Sequence, residues 1–280
     1  MPIRKTDLIS LHGGHSGEFC CHGSDRLEDL VRAYVEQGFR RVGLTEHMPP
    51  VSDRFLYPDE IEAGLDAAAL YRRFARYIST ARVLQKKYSS RITIYVGFET
   101  ETCRGYQEFV RKLLDEFRPD YIVGSVHHVD DTPFDYSPED YTRAARQAGG
   151  IDELYCRYFD LQLEMINSLR PAVVGHLDLI RIHDPGYRDR LKRPEVESRV
   201  HRNLERIRRL DLIMDCDLRA LDAQGEPYPC RSILLQAREL GIAVVPGDDS
   251  HSVDTVGRNI KTGIKLLREL GFNTSWKVPL

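Results

Sequence analysis

The feature that most constrains the fold is a repeated pattern: a short apolar run followed at once by histidine, glutamate or aspartate. Seven runs show it, at positions 8–11, 42–45, 92–97, 121–126, 172–175, 212–214 and 242–247. Short continuous apolar runs are typical of strands in a buried parallel sheet. Because the carboxyl ends of the strands of a βα barrel meet at one face, ligand-type residues from distant parts of the chain would gather there.

Helical patterns separate the runs, which makes this an α/β sequence. The longest is 67–88, where Leu70, Phe74 and Ile78 share one face. Shorter helices are predicted around 27–35, 105–116, 151–169, 195–209, 230–240 and 256–270. Seven strands with intervening helices favour a closed or nearly closed barrel. An open doubly wound sheet is the alternative, but it collects ligands at one switch point instead of at every strand.

The chain is expected to form one domain over residues 1–280, since no repeat, low-complexity tract or linker interrupts it. Two segments, 49–66 and 130–150, contain prolines and glycines and are predicted to be long loops beside the barrel mouth. Loops in that position are candidate walls or lids for a substrate.

Composition excludes several classes of protein. Charged residues make up 30% of the chain and hydrophobic residues 41%, and no stretch approaches the roughly 18 apolar residues of a membrane span. The formal net charge of −3 gives no overall attraction to nucleic acid. The first six residues lack the apolar segment of a signal peptide, and the six cysteines form no CxxC pair. We therefore expect a cytoplasmic protein with reduced thiols and no membrane or nucleic-acid partner; the oligomeric state stays open.

Histidines and acids at the predicted strand ends point to metal chemistry. Nine side chains would converge if the barrel closes: His12, His15, His22, His47, Glu99, His127, His176, Asp249 and His251. Imidazole and carboxylate together suit zinc, manganese or iron, and a bridging carboxylate can hold two ions close together. Any single histidine is more often a hydrogen-bonded structural residue. The shared position of so many favours a metal site.

The motifs around these residues resemble those of a known family. In chain order they are His12-Gly13-Gly14-His15, Cys21-His22-Gly23, Thr45-Glu46-His47, Gly124-Ser125-Val126-His127-His128, Gly175-His176-Leu177-Asp178 and Asp248-Asp249-Ser250-His251. Together they resemble the PHP (polymerase and histidinol phosphatase) superfamily, and within it the histidinol-phosphatases of histidine biosynthesis. The resemblance runs from about residue 8 to about residue 260.

That resemblance implies a distorted (β/α)7 barrel that binds two or three divalent metal ions. By position, His12, His15, Glu99 and Asp249 would hold the first ion. Glu99 would bridge to a second ion, which His127 and His176 complete. A third ion would take the remaining three histidines, His22, His47 and His251.

The implied reaction is metal-dependent hydrolysis of L-histidinol phosphate, in which hydroxide attacks phosphorus in line and no covalent phosphoenzyme forms. Glu99 and Asp249 would be catalytic. Asp178 is a third candidate, which could orient the region of His176 or protonate the leaving alkoxide. Its alternative role is to accept hydrogen bonds from loop amides.

Two departures from the family pattern matter. The family usually begins with His-x-His, whereas His12 and His15 are separated by two glycines. Either a glycine bulge returns His12 to the metal or one ligand is missing, and we expect the bulge. For the phosphate, Arg181 matches one family arginine by position, but Arg219 is displaced from the other. Both are predicted substrate-binding residues, with a surface ion pair as the alternative.

These departures leave other functions open. A displaced Arg219 would suit a phosphoesterase of the same family that acts on another small phosphate ester or on a nucleotide. A missing first ligand would suit a metal-binding module without catalysis. A panel of substrates and a measurement of bound metal distinguish the three hypotheses.

Overall fold

The seven predicted strands form one parallel sheet whose order follows the chain. The structure, a computed structural model, describes residues 8–279. With the two strands of a small hairpin included, the strands are β1 Ile9–Ser10, β2 Arg41–Leu44, β3 Thr93–Glu99, β4 Tyr121–Gly124, β5 His128–Val129, β6 Thr132–Pro133, β7 Val173–Val174, β8 Ile213–Asp217 and β9 Ala243–Gly247. The parallel sheet has the order β1-β2-β3-β4-β7-β8-β9, and β5 pairs with β6 in antiparallel fashion.

The first and last strands of the sheet meet and nearly close it into a barrel. The Leu11 amide donates to the Pro246 carbonyl at 3.4 Å, and the Asp249 amide donates to the His12 carbonyl at 2.9 Å. No strand pair is out of sequence order among residues 8–279, so there is no switch point. The open doubly wound sheet is excluded, and the predicted α/β barrel is confirmed.

A tyrosine spans the barrel interior to reach the first strand. The Tyr121 hydroxyl on β4 donates to the Leu11 carbonyl at 2.5 Å. Its path crosses β2 at Gly43, where an added Cβ would lie 1.8 Å from the Tyr121 hydroxyl oxygen. Only glycine leaves room there, because any side chain would occupy the space of the tyrosine ring.

Helices cover the outside of the sheet. They are α1 Leu27–Gln37, α2 Pro58–Glu62, α3 Ala67–Lys87, α4 Tyr106–Phe117, α5 Pro138–Ala148, α6 Ile151–Leu169, α7 Tyr187–Arg190, α8 Pro194–Arg209, α9 Leu221–Gln224, α10 Arg231–Glu239 and α11 Ile260–Glu269. Short 3-10 turns lie at Asp53–Phe55, Leu179–Arg181 and Val253–Thr255. The long amphipathic helix α3 matches its prediction, and the Asp66 carboxylate caps it by accepting from the Ala69 amide at 2.6 Å. None of the helices in residues 8–279 is long and apolar enough to cross a membrane.

The two segments predicted as long loops are more ordered than expected. The first contains α2, and the second contains β6 and all of α5. Ser137 accepts a hydrogen bond from the Asp140 amide, Pro138 begins α5, and Gly149 ends it in the left-handed region at φ 98°. The sequence interpretation gave weight to proline and glycine as loop residues, whereas here they mark the two ends of a helix.

Candidate metal centre

The barrel gathers the predicted ligands at the carboxyl ends of its strands. His12 and His15 follow β1, His47 follows β2, and Glu99 is the last residue of β3. The others follow β4, β7 and β9 at His127, His176, Asp249 and His251. His22 lies in the loop between β1 and α1. All nine lie within one connected set of contacts, because each strand ends at the same face of the barrel.

Glu99 is at the centre of this set. Its Oε1 lies 3.2 Å from His12 Nε2, 3.4 Å from His127 Nε2 and 2.9 Å from His176 Nε2. Its Oε2 faces different partners, 3.4 Å from His47 Nδ1 and 3.9 Å from His15 Nε2. One carboxylate therefore addresses two groups of histidines through its two oxygens, which is the geometry a bridging ligand requires.

Asp249 forms a second acidic centre on the side of His15. Its Oδ1 lies 3.1 Å from His15 Nε2 and 3.9 Å from His12 Nε2. Three groups of side chains at this site have ligand atoms that all lie within 4.8 Å of one another. They are His12, His15 and Asp249; His12, Glu99 and His176; and His15, His47 and His251.

The glycine pair brings His12 to the site. Gly13 and Gly14 have φ values of 157° and 76°, and a Cβ on Gly13 would lie 2.4 Å from Asp248 Oδ1. With this backbone His12 and His15 face each other, their ring centroids 5.9 Å apart. The structure thus places His12 against both carboxylates, as the bulge interpretation requires. Its ligation of an ion stays a prediction.

His22 lies farther out than its predicted partners. Its Nδ1 is 2.8 Å from Asp59 Oδ2 of α2, and its ring centroid is 5.5 Å from that of His47 and 6.4 Å from that of His251. The ligand atoms of His22, His47 and Cys20 also lie within 4.8 Å of one another. His22 therefore joins the cluster through His47, and Asp59 orients its ring.

Several ligand atoms are buried without a hydrogen-bond partner in the described part of the chain, residues 8–279. They are His12 Nε2, both ring nitrogens of His15, Glu99 Oε2 and Asp249 Oδ1. A buried polar atom without a partner costs roughly 1–3 kcal/mol, so natural folds seldom keep several together. Their positions and their chemistry fit divalent cations, which would accept the lone pairs that no protein donor meets.

Burial and neighbouring charge divide the histidines into two types. Burial lowers the pKa of His251 to about 4 and lowers the pKa of His176, which favours the neutral imidazole that binds metals. Burial alone would also lower the pKa of His12 and His127. Nearby carboxylates outweigh it, Glu99 and Asp249 at His12 and Glu101 and Glu99 at His127, and they raise both pKa values well above the usual range.

Acidic residues behind the cluster contact its histidines. One of these acidic residues, Glu101, was not identified from the sequence. The Asp215 Oδ2 accepts from His12 Nδ1 at 2.8 Å. Glu101 Oε2 lies 3.1 Å from Nδ1 of both His127 and His128, and its Oε1 lies 3.4 Å from His47 Nδ1. Glu101 lies two residues beyond Glu99, just after the end of β3, and the available signal was a second carboxylate so close to a predicted ligand.

A cleft of about 470 Å³ opens over the cluster. Its lining residues are His22, His47, Tyr57, Glu99, His127, Asp135, Tyr136, Arg219, Asp248, Asp249, His251, Thr255 and Arg258. Arg219 faces this cleft, with its Nη1 2.9 Å from Asp249 Oδ2. Arg258 was not singled out from the sequence. It is exposed, and its guanidinium has no hydrogen-bond or ion-pair partner within residues 8–279.

Asp178 and Arg181 do not reach this cleft. Arg181 is 1% exposed, and its Nε donates to Asp178 Oδ2 at 3.0 Å. The rest of its guanidinium donates to Gln224 and to the carbonyls of Glu226 and Pro227.

The remaining contacts of this pair complete a structural role. Asp178 Oδ2 also accepts from the Cys230 amide at 2.9 Å, which is its alternative role as an acceptor for loop amides. The rings of Tyr187 and Tyr228 lie 4.8 and 4.2 Å from the Arg181 guanidinium carbon. Each nitrogen of the Arg181 guanidinium has a protein acceptor, and neither Arg181 nor Asp178 lines the cleft, although Asp178 Oδ1 is buried without a hydrogen-bond partner among residues 8–279. The substrate-binding and acid roles predicted for them are not retained.

Comparison with known proteins identifies the fold and its relatives. A family model described as the PHP domain matches residues 11–216. A Schizosaccharomyces pombe protein named "Probable histidinol-phosphatase" is 33% identical over 271 residues, 95% of this chain and 88% of that protein. The crystal structure of hisK from Listeria monocytogenes has a TM-score of 0.80 at 27% identity, covering 91% of this chain and 99% of that one.

A further solved structure supports the fold. Histidinol phosphate phosphatase from Lactococcus lactis, in complex with zinc, L-histidinol and phosphate, is 20% identical with a TM-score of 0.74. The alignment covers 96% of this chain and 95% of that one. Both structural matches extend over nearly the whole barrel.

Proposed function

This chain belongs to the PHP family, and from that premise we propose that it is a metal-dependent phosphomonoesterase that hydrolyses L-histidinol phosphate to L-histidinol and phosphate. The observation that carries the proposal is the carboxylate of Glu99, whose two oxygens face two different groups of histidines. The Schizosaccharomyces pombe relative, which is named for this activity, matches 95% of this chain.

The ligand groups correspond to two or three divalent ions. His12, His15 and Asp249 form one group, and Glu99, His127 and His176 form the next. The Glu99, His127 and His176 atoms of the second group lie within 3.4 Å of one another. The third group combines His47 and His251 with His15, and His22 lies beside His47 at its edge. In such a site, divalent ions supply positive charge for the phosphate oxygens and lower the pKa of the attacking water.

The chain's own cations complete the phosphate environment. Arg219 lies at the cleft beside Asp249, and the Arg258 guanidinium lines the same cleft without a partner among residues 8–279. A planar guanidinium can donate two parallel hydrogen bonds to a phosphate, which fixes both its position and its orientation. We infer that Arg219 and Arg258 orient the phosphate of the substrate. Arg219, although displaced from the family position, thus has a direct role in phosphate binding, and Arg181 no longer has that role.

Phosphate release from L-histidinol phosphate tests the function directly. Purified protein is assayed with its bound metals quantified on the same sample, then again after chelation and after the ions are restored. We expect release that stops on chelation and returns with the metal, at two or three ions per chain. Release that persists in metal-free protein would contradict the metal dependence. Metal-loaded protein that releases no phosphate from this ester would contradict the substrate.

Two further expectations from the sequence concern the location and the partners of the protein. The cytoplasmic location and the lack of a nucleic-acid partner stay predictions. They rest on composition and net charge alone.

A further inference from the structure

One carboxylate of the cleft is unlike the others. Four carboxylates line it: Glu99, Asp135, Asp248 and Asp249. Glu99 faces histidines, Asp249 pairs with Arg219, and Asp248 accepts from the Ser10 and Tyr34 hydroxyls. Asp135 has no hydrogen-bond or ion-pair partner within residues 8–279, although its Oδ1 is inaccessible to solvent. A carboxylate in that state has unused capacity to accept hydrogen bonds.

The hairpin after β4 places Asp135 beside the metal cluster. Strands β5 and β6 turn the chain back, and the Phe134 amide donates to the His127 carbonyl at 3.1 Å. The next residue, Asp135, therefore lies over the cluster. Its negative charge contributes to the raised pKa values of His127 and Tyr57, whereas the charge of Arg219 acts on Asp249 and His251. Asp135 and Arg219 thus act on different parts of the cleft.

Two aromatic rings line the cleft together with this carboxylate. Tyr57 and Tyr136 stack with their centroids 5.6 Å apart at 26°, and both line the cleft. Tyr57 comes from the segment before α2 and Tyr136 directly follows Asp135. Aromatic faces attract cations, and a carboxylate without a partner beside them strengthens the attraction. The local chemistry therefore suits a positively charged group of a ligand.

We propose that Asp135, with the Tyr57 and Tyr136 rings, forms a cation subsite that selects phosphate esters bearing an ammonium group close to the ester carbon. The inference rests on the proposed function, because it assumes that the phosphate end of the ligand lies at the metals and Arg219. L-histidinol phosphate has such an ammonium group on the carbon adjacent to its ester carbon. Asp135 acts in recognition and takes no part in bond breaking.

The test compares matched esters with and without the amine. One pair is L-histidinol phosphate and its desamino analogue, 3-(imidazol-4-yl)propyl phosphate. The other is phosphoethanolamine and ethyl phosphate. For each pair the measured quantity is the ratio of the two kcat/KM values. In the wild type we expect a ratio well above one, and in Asp135→Asn we expect it to fall about 10- to 100-fold, mainly through KM, as expected for loss of a charge-assisted contact.

A control variant separates this effect from a general change of charge. Glu139→Gln removes an exposed carboxylate from the first turn of α5, four residues from Asp135, and should leave both ratios unchanged. Metal content and circular dichroism of each variant report on the fold. Because the ratio is internal to each variant, damage to the metal site lowers both members of a pair and leaves it unaffected.

The outcomes distinguish this inference from the proposed function. An unchanged ratio in Asp135→Asn, whatever the absolute rates, would overturn the cation subsite. A wild type without preference for aminated esters would overturn it too. If the wild type fails on L-histidinol phosphate but prefers phosphoethanolamine to ethyl phosphate, and Asp135→Asn removes that preference, the subsite stands and the proposed substrate fails.

Discussion

Two buried polar regions of this barrel have opposite hydrogen-bonding states. Around Arg181 each nitrogen of the guanidinium has a protein acceptor, and tyrosine rings cover the side chain. Around Glu99 several imidazole and carboxylate atoms are equally buried but have no donor or acceptor. Both regions were predicted to serve the substrate. This difference shows that the role of a buried charged group can be inferred from its hydrogen-bond partners. A group whose hydrogen-bonding capacity is filled supports the fold, and a group with unfilled capacity can bind a ligand.

Substitution of Glu99 should produce the largest effect on activity. Glu99→Gln keeps the shape but removes the negative charge that both histidine groups face. We expect kcat/KM to fall by about 1,000-fold or more, since several kcal/mol of charge stabilisation are lost. Steady-state kinetics and metal content measure it, with the exposed Glu62→Gln as the control. Near wild-type turnover with full metal content would remove Glu99 from the site.

Substitution of Arg181 should instead affect stability. Arg181→Met leaves Asp178 buried without its counter-charge, and we expect the free energy of unfolding to fall by about 3 kcal/mol. The KM of the folded fraction should not change, because Arg181 lies outside the cleft. Urea denaturation followed by circular dichroism measures the first quantity. Arg188→Met, which removes an exposed ion pair with Glu226, should cost less than about 1 kcal/mol. A raised KM at normal stability in Arg181→Met would restore its role at the phosphate.

Metal removal should affect the Glu99 region and leave the Arg181 region of the same molecule unchanged. Chelation should lower the free energy of unfolding by roughly 3 kcal/mol, as expected when an ion at about 100 times its dissociation constant is withdrawn. Hydrogen exchange should speed up at the residues after β1, β3 and β9 and stay constant near Arg181. Equally faster hydrogen exchange in both regions would show that the Arg181 region also depends on the metals, which would contradict the difference between the two regions.

Arg219 provides the smallest and most specific test. Arg219→Met should lower kcat/KM about 10- to 100-fold through loss of one charge-assisted phosphate contact. Inorganic phosphate should inhibit this variant more weakly in the same proportion. The exposed Arg231→Met, on α10, serves as the control. Unchanged inhibition by phosphate would show that Arg219 only neutralises Asp249.

The sequence predicted the parts of the site that strands determine. An apolar run shows where a strand ends, and parallel strands end at one face, so His127 and His176 could be assigned to one cluster without coordinates. Arg181 could not be assigned correctly, since its hydrogen-bond partners other than Asp178 are 43 or more residues away in the chain. Asp135 and Arg258 lie in loops, where the direction of a side chain depends on contacts that no local pattern shows.

The helix α5 was missed for a related reason. Its proline and glycines were interpreted one by one as loop residues, although Ser137-Pro138 at one end and Gly149 at the other are the signals of a capped helix. Its buried face consists of Tyr141, Ala144 and Ala145, and the Tyr141 ring centroid lies 5.8 Å from that of His183, a contact that no local pattern shows.

The central carboxylate also has a thermodynamic consequence. Because Glu99 addresses two groups of histidines through one carboxylate, an ion in either group changes the charge and the orientation that the other group meets. Occupancy of the two groups is therefore linked, and each ion alters the affinity for the other by the same factor. A titration with metal should therefore not fit a model of independent sites. At partial loading, the proportions of protein with an ion in one group, in the other or in both should depend on the two affinities and on their coupling.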